Sequence, residues 1–496
     1  MPGPAISLTE PLPASVEGVE LPAYDRSKLK PHIVHFGVGG FHRAHQAMYL
    51  DRLLREGRTD WGICGVGVLP HDARMRDVMA AQDCLYTLVE RPPHGQEQVK
   101  VIGSIIEYLF APDDPDAVIE KLASEQTKIV SLTITEGGYN IDAVAGSFDR
   151  SNPEIVAETS SDELPHTVYG LVVEALRRRR DRGIAPFTVM SCDNIQGNGS
   201  TALHTFSSYA AMVDSDLARW IQTEVAFPNS MVDRITPATT PDDISAIERD
   251  HGVVDGWPVV CEDFDQWVLE DHFPLGRPPY EDAGVQVVDD VLPYELMKLR
   301  LLNAGHQALA YFGYLSGYRL VHDAAQDHDL ARYVRAYMDN EGTPTLRPVP
   351  GVDLENYKDT LIERFANPYV RDQVQRLCLE ASDRIPKFVL PVVRAQLDAG
   401  REVRLAAAII ASLARYCEAV DEDGEPIEIN DRIADALKAY AAKQVGPDAD
   451  ELGFLTNREL FGDLIEDPRF TDPYVETLRS LHTYGAKATV KRLANG

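Results

Sequence analysis

Cysteine is scarce and scattered in this chain. Cys64, Cys84, Cys192, Cys261, Cys378 and Cys417 form no C-x-x-C pair in 496 residues. That spacing excludes a zinc knuckle and points to reduced thiols, not a disulfide framework. Long apolar runs are missing too: no window approaches the ~18 residues that a membrane-spanning helix needs. The N-terminus is rich in Pro and Glu and has no apolar stretch of the kind a signal peptide carries. The expectation is a soluble, cytoplasmic protein. Positive charge is in short supply, with 48 Lys and Arg against 78 Asp and Glu and a formal net charge of −30. Such a balance argues against nucleic acid or an anionic membrane as partner and does not identify a substrate; a small-molecule partner and a monomer or weak oligomer are expected. Arg177, Arg178, Arg179 and Arg180 do not break that rule. They follow Val172, Val173 and Leu176 and precede Gly183, which reads as the cationic last turn of a helix. Internal repeats and low-complexity tracts are also absent.

What is present has two characters. Residues 32–36 are short and β-prone, glycines follow at once, and a helical pattern begins near Phe41. Residues 61–69, 128–135 and 187–192 read as further buried strands, and 99–102 as a third strand or part of a hairpin. Strands alternating with helices predict a mostly parallel sheet covered on both faces. From Pro293 onward only helical periods remain, broken by Gly/Pro connections, and residues 405–419 are strongly helical. The fold class is therefore α/β: a Rossmann-type dinucleotide-binding domain over 1–285, followed by an all-α domain over 286–496.

Gly37-Val38-Gly39-Gly40-Phe41-His42 sits between a strand and a helix, the context of a dinucleotide fingerprint. Its glycines would let the backbone approach a pyrophosphate at the positive end of the next helix. His42 stands where the third glycine belongs. Asp72, about 33 residues past Gly39, supplies the carboxylate expected on the adenosine ribose. A carboxylate there favours NAD over NADP, although Arg74 and Arg76 lie nearby. His42 and His45 share an i, i+3 spacing, but no further ligands appear at a metal-binding spacing, so no metal is expected.

The most informative stretch runs from Lys298 through Asn303 to His306 in an almost wholly apolar segment. Read as an α-helix, it places Asn303 about 140° round from Lys298 with His306 between them, so all three line one wall. Burying a lysine without a carboxylate partner disfavours its charged form, which is how a lysine becomes a general base. Tyr294 and Lys298 also match the Tyr-x-x-x-Lys pair of short-chain dehydrogenases. They fall at the start of a second domain, however, and the rest of that pattern is missing.

These pieces together resemble the polyol-specific long-chain dehydrogenases, and the mannitol branch of that family most closely. The resemblance covers nearly the whole chain. It rests on residues 36–45 (FGVGGFHRAH), 227–237 (FPNSMVDRITP) and 364–368 (RFANP), and on the Lys298, Asn303 and His306 stretch. It implies metal-independent hydride transfer between NAD and a polyol, D-mannitol to D-fructose, in a cleft between the two domains. It implies Lys298 as base, Asn194 and Asn303 as donors to the reacting oxygen, His306 as the residue orienting the substrate, and Glu295 as a gate on a proton path. Gly37, Val38, Gly39, Gly40, Phe41, His42, Arg43, Asp72 and Val232 would face the cofactor, and Glu136, at a strand end, would join them. Asp233, Arg376, Arg384 and Lys387 would contact the polyol. Arabinitol, sorbitol and hexuronate enzymes are the alternatives within the family, and a catalytically inert dinucleotide-binding regulator is the alternative outside it.

Overall fold

The computed structural model describes residues 6–141, 146–161 and 163–495, which divide into two compact units, 1–291 and 292–496. Five apolar segments build the central sheet of the first: β1 (Lys30–Phe36), β2 (Trp61–Gly67), β3 (Ile105–Phe110), β4 (Ile129–Leu132) and β5 (Thr188–Ser191). All pair in parallel, in the order β3-β2-β1-β4-β5. This is the doubly wound dinucleotide-binding order with the first strand at the centre. Successive residues of β1 point to opposite faces, so Ile33 packs into one apolar cluster while Val34 and Phe36 pack into the other. Burial on both faces is why these strands read as continuous apolar runs.

Of the two readings of residues 99–102, the hairpin holds: Gln98–Ile102 is not the third strand of the parallel sheet. It pairs antiparallel with Tyr86–Arg91 in a separate four-stranded sheet. The third parallel strand is β3, an edge strand that is only half-buried after Ile105 and so lacks the apolar signature of its neighbours. A three-stranded sheet combines Ser230–Asp233, Gln266–Glu270 and Gln286–Val288. Gln286–Val288 pairs with Val268, Leu269 and Glu270, which carries the first unit past the expected boundary at 285.

The helix expected from Phe41 is two helices, α1 (Gly40–Ala44) and α2 (Gln46–Arg55), separated at His45 (φ −124°, ψ −96°). The arginine run closes α3 (Val168–Arg182) against Gly183 at φ 67°. Arg177, Arg178 and Arg180 pair with Glu174, Asp181, Asp116, Glu120 and Asp214. Arg179 is buried and donates to the carbonyls of Leu122, Ser124, Thr127 and Ala185. Burial lowers its pKa to about 10, so it remains charged. The run is a helix end, fully engaged with the protein. The next helix, α4 (Asn198–Val213), follows β5.

Among its described residues the second unit is helical apart from two isolated bridges. Its central element begins as α5 (Leu292–Met297), passes through a π-helical stretch at Lys298–Asn303 and continues as α6 (Ala304–Leu315), which is buried along its whole length. Around it stand α7 (His328–Tyr337), α8 (Leu354–Phe365), α9 (Ala381–Phe388) and α10 (Arg404–Tyr416). A second π-helical stretch, Met338–Gly342, extends α7. Among the described residues no helix is long and apolar enough to cross a membrane.

Candidate active site

Open parallel sheets bind ligands beyond the carboxyl ends of their strands, and that end of the first unit carries most of the expected residues. Gly37 leaves β1 at φ +90°, and a Cβ there would lie 2.1 Å from the Thr133 carbonyl oxygen. Only glycine fits. Gly39 is exposed, and a Cβ on it would meet nothing nearer than the Gly37 carbonyl at 3.9 Å; at Gly40 the nearest atom would be 3.6 Å away on Thr236. The first glycine is thus demanded by the fold, while the next two leave room for a pyrophosphate against the backbone. Val38 is buried against Gly65, and Phe41 stacks on His45.

The side chains of His42 and Arg43 turn into the protein. The His42 ring is buried and stacked on His35 at 3.4 Å, and burial drives its pKa far below the usual imidazole value. Arg43 is equally buried, donates to the carbonyls of Trp257 and Gly39, and lies over the rings of Tyr86 and Trp257. Both side chains brace the glycine turn from inside, so only their backbone is left for a cofactor.

Asp72 closes the turn after β2. Its Oδ2 accepts from the amides of Val68 and Leu69, each at 2.9 Å, which fixes the carboxylate at the strand end. The two nearby arginines are engaged elsewhere. Arg74 stacks 4.1 Å over the Trp257 ring, and Arg76 is bonded to Asp77 and Asp113 at 2.9 Å. Glu136 is exposed on the turn beyond β4.

Asn194 is exposed immediately beyond β5. The first residue of α4 anchors the connection: Asn198 Nδ2 donates to the carbonyls of Asp193 (3.0 Å) and Ser230 (2.8 Å), and its Oδ1 accepts from the Ser230 amide. A Cβ on Gly199 would sit 2.5 Å from the Pro228 carbonyl, so the 227–237 segment presses directly on the start of α4. Val232 and Asp233 are buried on Ser230–Asp233. Arg234 is a structural member of that segment; it pairs with Glu90 at 2.5 Å and donates to the carbonyls of Ala44 and Glu262. Sequence reasoning passed over Asp193, whose carboxylate joins the ends of β4 and β5; its signal was a strand ending in Asp-Asn.

In the second unit Glu295, Lys298, Asn303 and His306 are all buried along one continuous element. Its π turn revises the α-helical projection. Bonding from i to i+5 stacks a residue nearly over the one five before it, so Asn303 comes round toward the Lys298 face and not 140° from it. The neighbouring π stretch supports it: a Cβ on Gly342 would lie 2.9 Å from Leu301 and 3.1 Å from the Arg300 carbonyl, which also accepts from the Tyr337 hydroxyl. A Cβ on Gly305 would lie 2.7 Å from the flexible end of the Met338 side chain.

His306 lies 4.2 Å from the Phe365 ring, and its Nε2 has no hydrogen-bond partner among the described residues. Burial, then the charges of Arg376, Arg364, Arg384 and Lys298, hold its pKa far below the ordinary value. The ring is therefore neutral in a cationic surrounding, and Nε2 can bond a hydroxyl. Arg364 is buried on α8 and was given no role in the sequence reading. Arg376 is exposed and ion-paired with Asp372, while Arg384 donates to the carbonyls of Arg376 and Leu377. Lys387 is exposed, 4.0 Å from Asp383. Tyr294 is buried and donates its hydroxyl to the Pro350 carbonyl at 2.7 Å. That hydroxyl braces the fold. Among the described residues no three His, Cys, Asp or Glu side chains converge as a metal site would require.

Two family models cover most of the chain: the mannitol dehydrogenase Rossmann domain over residues 31–282 and the mannitol dehydrogenase C-terminal domain over 290–482. The chain belongs to the mannitol dehydrogenase family. A mannitol dehydrogenase of Saccharomyces cerevisiae is 46% identical over 95% of this chain and 94% of its own length. The mannitol 2-dehydrogenase of Aspergillus fumigatus is 44% identical over 96% of each. Among solved structures, Pseudomonas fluorescens mannitol 2-dehydrogenase in ternary complex with NAD and D-mannitol is 44% identical, with TM-score 0.86 and 97% of each chain covered. A substrate-free D-sorbitol dehydrogenase is 40% identical, with TM-score 0.88 over 97% of this chain and 98% of its own.

Proposed function

We propose that the protein is an NAD-dependent mannitol 2-dehydrogenase that interconverts D-mannitol and D-fructose without a metal, with Lys298 as general base. The buried set of Lys298, Asn303 and neutral His306 on one π-turned element carries this reading. Likeness to a mannitol 2-dehydrogenase solved with NAD and D-mannitol supports the choice of substrate. When bound, NAD supplies the acceptor for the hydride leaving the carbinol carbon. The glycine turn after β1 would hold its pyrophosphate and Asp72 its adenosine ribose.

Oxidation of the secondary alcohol releases a proton from oxygen and a hydride from carbon. Lys298 takes the proton, which requires a lysine that is unprotonated at working pH. Asn194 and Asn303 donate hydrogen bonds to the oxygen as alkoxide character develops. His306, uncharged, bonds the hydroxyl and orients the substrate. Glu295, buried one turn before Lys298, passes the proton on toward water. Asp233, Arg376, Arg384 and Lys387 contact the rest of the polyol chain. The pairing of Arg376 with Asp372 leaves that arginine poorly disposed to hold a substrate carboxylate, which disfavours a hexuronate.

Following NADH absorbance with D-mannitol, D-sorbitol, D-arabinitol and D-fructose tests the reading. The highest kcat/KM should fall on D-mannitol and D-fructose. The likeness to a D-sorbitol dehydrogenase makes D-sorbitol the second reading, and a clear preference for it would replace the first. Activity should survive dialysis against EDTA or phenanthroline; loss restored by zinc would sink the lysine mechanism. The strong negative charge, which keeps copies apart, supports a monomer or weak oligomer, and light scattering reads this directly.

A further inference from the structure

The carboxylate of Asp193 joins two strand ends at the ligand-binding side of the first unit. Its Oδ1 accepts from the Thr135 amide at 2.8 Å, and its Oδ2 accepts from the Ile134 amide at 3.2 Å and the Tyr139 hydroxyl at 2.7 Å. Tyr139 is itself buried and bonded to Ser191 on β5. The Asp193 carbonyl is held by Asn198, and the next residue in the chain is Asn194.

Thr135 shows what the carboxylate restrains. It sits at φ +62°, ψ 172°, a region that is essentially glycine's own and strained for a β-branched residue. Such a conformation persists only where the surroundings over-determine it. Here the surroundings are the two amides captured by Asp193.

We propose that Asp193 is a positioning residue: its carboxylate holds the strained Thr135 turn and, through its own backbone, presents Asn194 to the reacting oxygen. The inference rests on the reading of Asn194 as an alkoxide donor. A protonated Asp193 has one acceptor oxygen fewer for three donors, so the turn relaxes and Asn194 loses its setting. Burial raises the pKa of this carboxyl to about 6 against the pull of its three donors, with the exposed Glu136 adding to the rise. The other titratable groups facing it, Tyr139 and Cys192, are both pushed upward by burial and stay neutral.

Ketose reduction gives the cleanest readout. In that direction Lys298 must begin protonated, so the base imposes no loss of rate on the acid side, and a fall in kcat near pH 6 belongs to another group. Asp193→Asn should lower kcat at pH 7.5 at least tenfold and flatten the profile between pH 5.5 and 7.5. Tyr139→Phe removes a donor that favours the carboxylate, so it should move the acid limb to higher pH. That shift decides the matter even if Asp193→Asn fails to fold. Wild-type kcat in Asp193→Asn, a retained limb there, or an unmoved limb in Tyr139→Phe would overturn the proposal. Asn194→Ala separates the two levels. If it is impaired while Asp193→Asn is normal, the positioning role alone fails; if it is as active as wild type, the role of Asn194 fails and this inference with it.

Discussion

Gly37→Ala and Gly39→Ala should have opposite consequences, although the two residues share one turn. At Gly37 the added methyl would lie 2.1 Å from the Thr133 carbonyl oxygen, where ordinary contact begins at 3.4 Å. Thr133 is anchored by its amide to the Phe36 carbonyl, so relieving the overlap by roughly 1 Å opens the β1–β4 junction. The positive φ adds about 1–2 kcal/mol for an L-residue, and overpacking of this kind costs about 1–3 kcal/mol. Together they predict a loss of about 2–5 kcal/mol from the first unit. Gly39 has φ −91°, and its methyl would meet no protein atom closer than 3.9 Å. Gly39→Ala should fold as well as wild type, or slightly better through a less flexible unfolded chain. The same methyl would stand where a pyrophosphate approaches, so its NADH dissociation constant should rise at least tenfold, about 1.4 kcal/mol. Urea unfolding followed by circular dichroism and NADH fluorescence titration separate the two effects. Wild-type stability in Gly37→Ala would refute the steric reasoning, and wild-type NADH affinity in Gly39→Ala would refute the placement of the cofactor.

Two further outcomes follow from single carboxylates. Asp72, fixed by two amides beside arginines already engaged with Trp257, Asp77 and Asp113, should give NAD at least a tenfold advantage over NADP in kcat/KM. Asp72→Ala should narrow it, and equal use of both cofactors by the wild type would remove the argument. Glu341 is buried and caps α10 by accepting the Leu405 and Ala406 amides at 2.7 Å, yet burial raises its pKa to about 7 from an ordinary 4.5. The folded state then binds this proton more tightly than the unfolded state. The resulting stabilisation is full below pH 4.5 and is lost as pH rises through 7, an effect of roughly 3 kcal/mol. Glu341→Gln should flatten that slope in urea titrations, and a wild-type-minus-variant difference that does not change with pH would contradict it.

The parallel sheet was legible wherever strands are buried on both faces, as in β1, β2, β4 and β5, because burial on both sides leaves an apolar run. It was not legible at β3, a half-buried edge strand, nor in the small sheets that pair residues far apart in sequence. The glycine turn announced itself, but the inward turn of His42 and Arg43 did not, since it depends on partners at His35, Tyr86 and Trp257. In the helical unit Lys298, Asn303 and His306 stood out from a segment, 296–306, whose only other polar residue is Arg300. Its π turn was not legible, because composition does not distinguish i→i+5 from i→i+4 bonding. Asp193 was missed for a related reason: its importance lies in amides from another strand end.

The central claim is that Lys298, and not Tyr294, carries the proton. Kinetics of D-mannitol oxidation across pH for Lys298→Ala and Tyr294→Phe test it most directly. The account predicts that Lys298→Ala loses several orders of magnitude in kcat with NADH binding nearly unchanged, that its acid limb disappears, and that added primary amines restore part of the rate. Tyr294→Phe, which gives up only a hydrogen bond to Pro350, should stay within a few-fold of wild type. A working Lys298→Ala beside a dead but folded Tyr294→Phe would contradict the account.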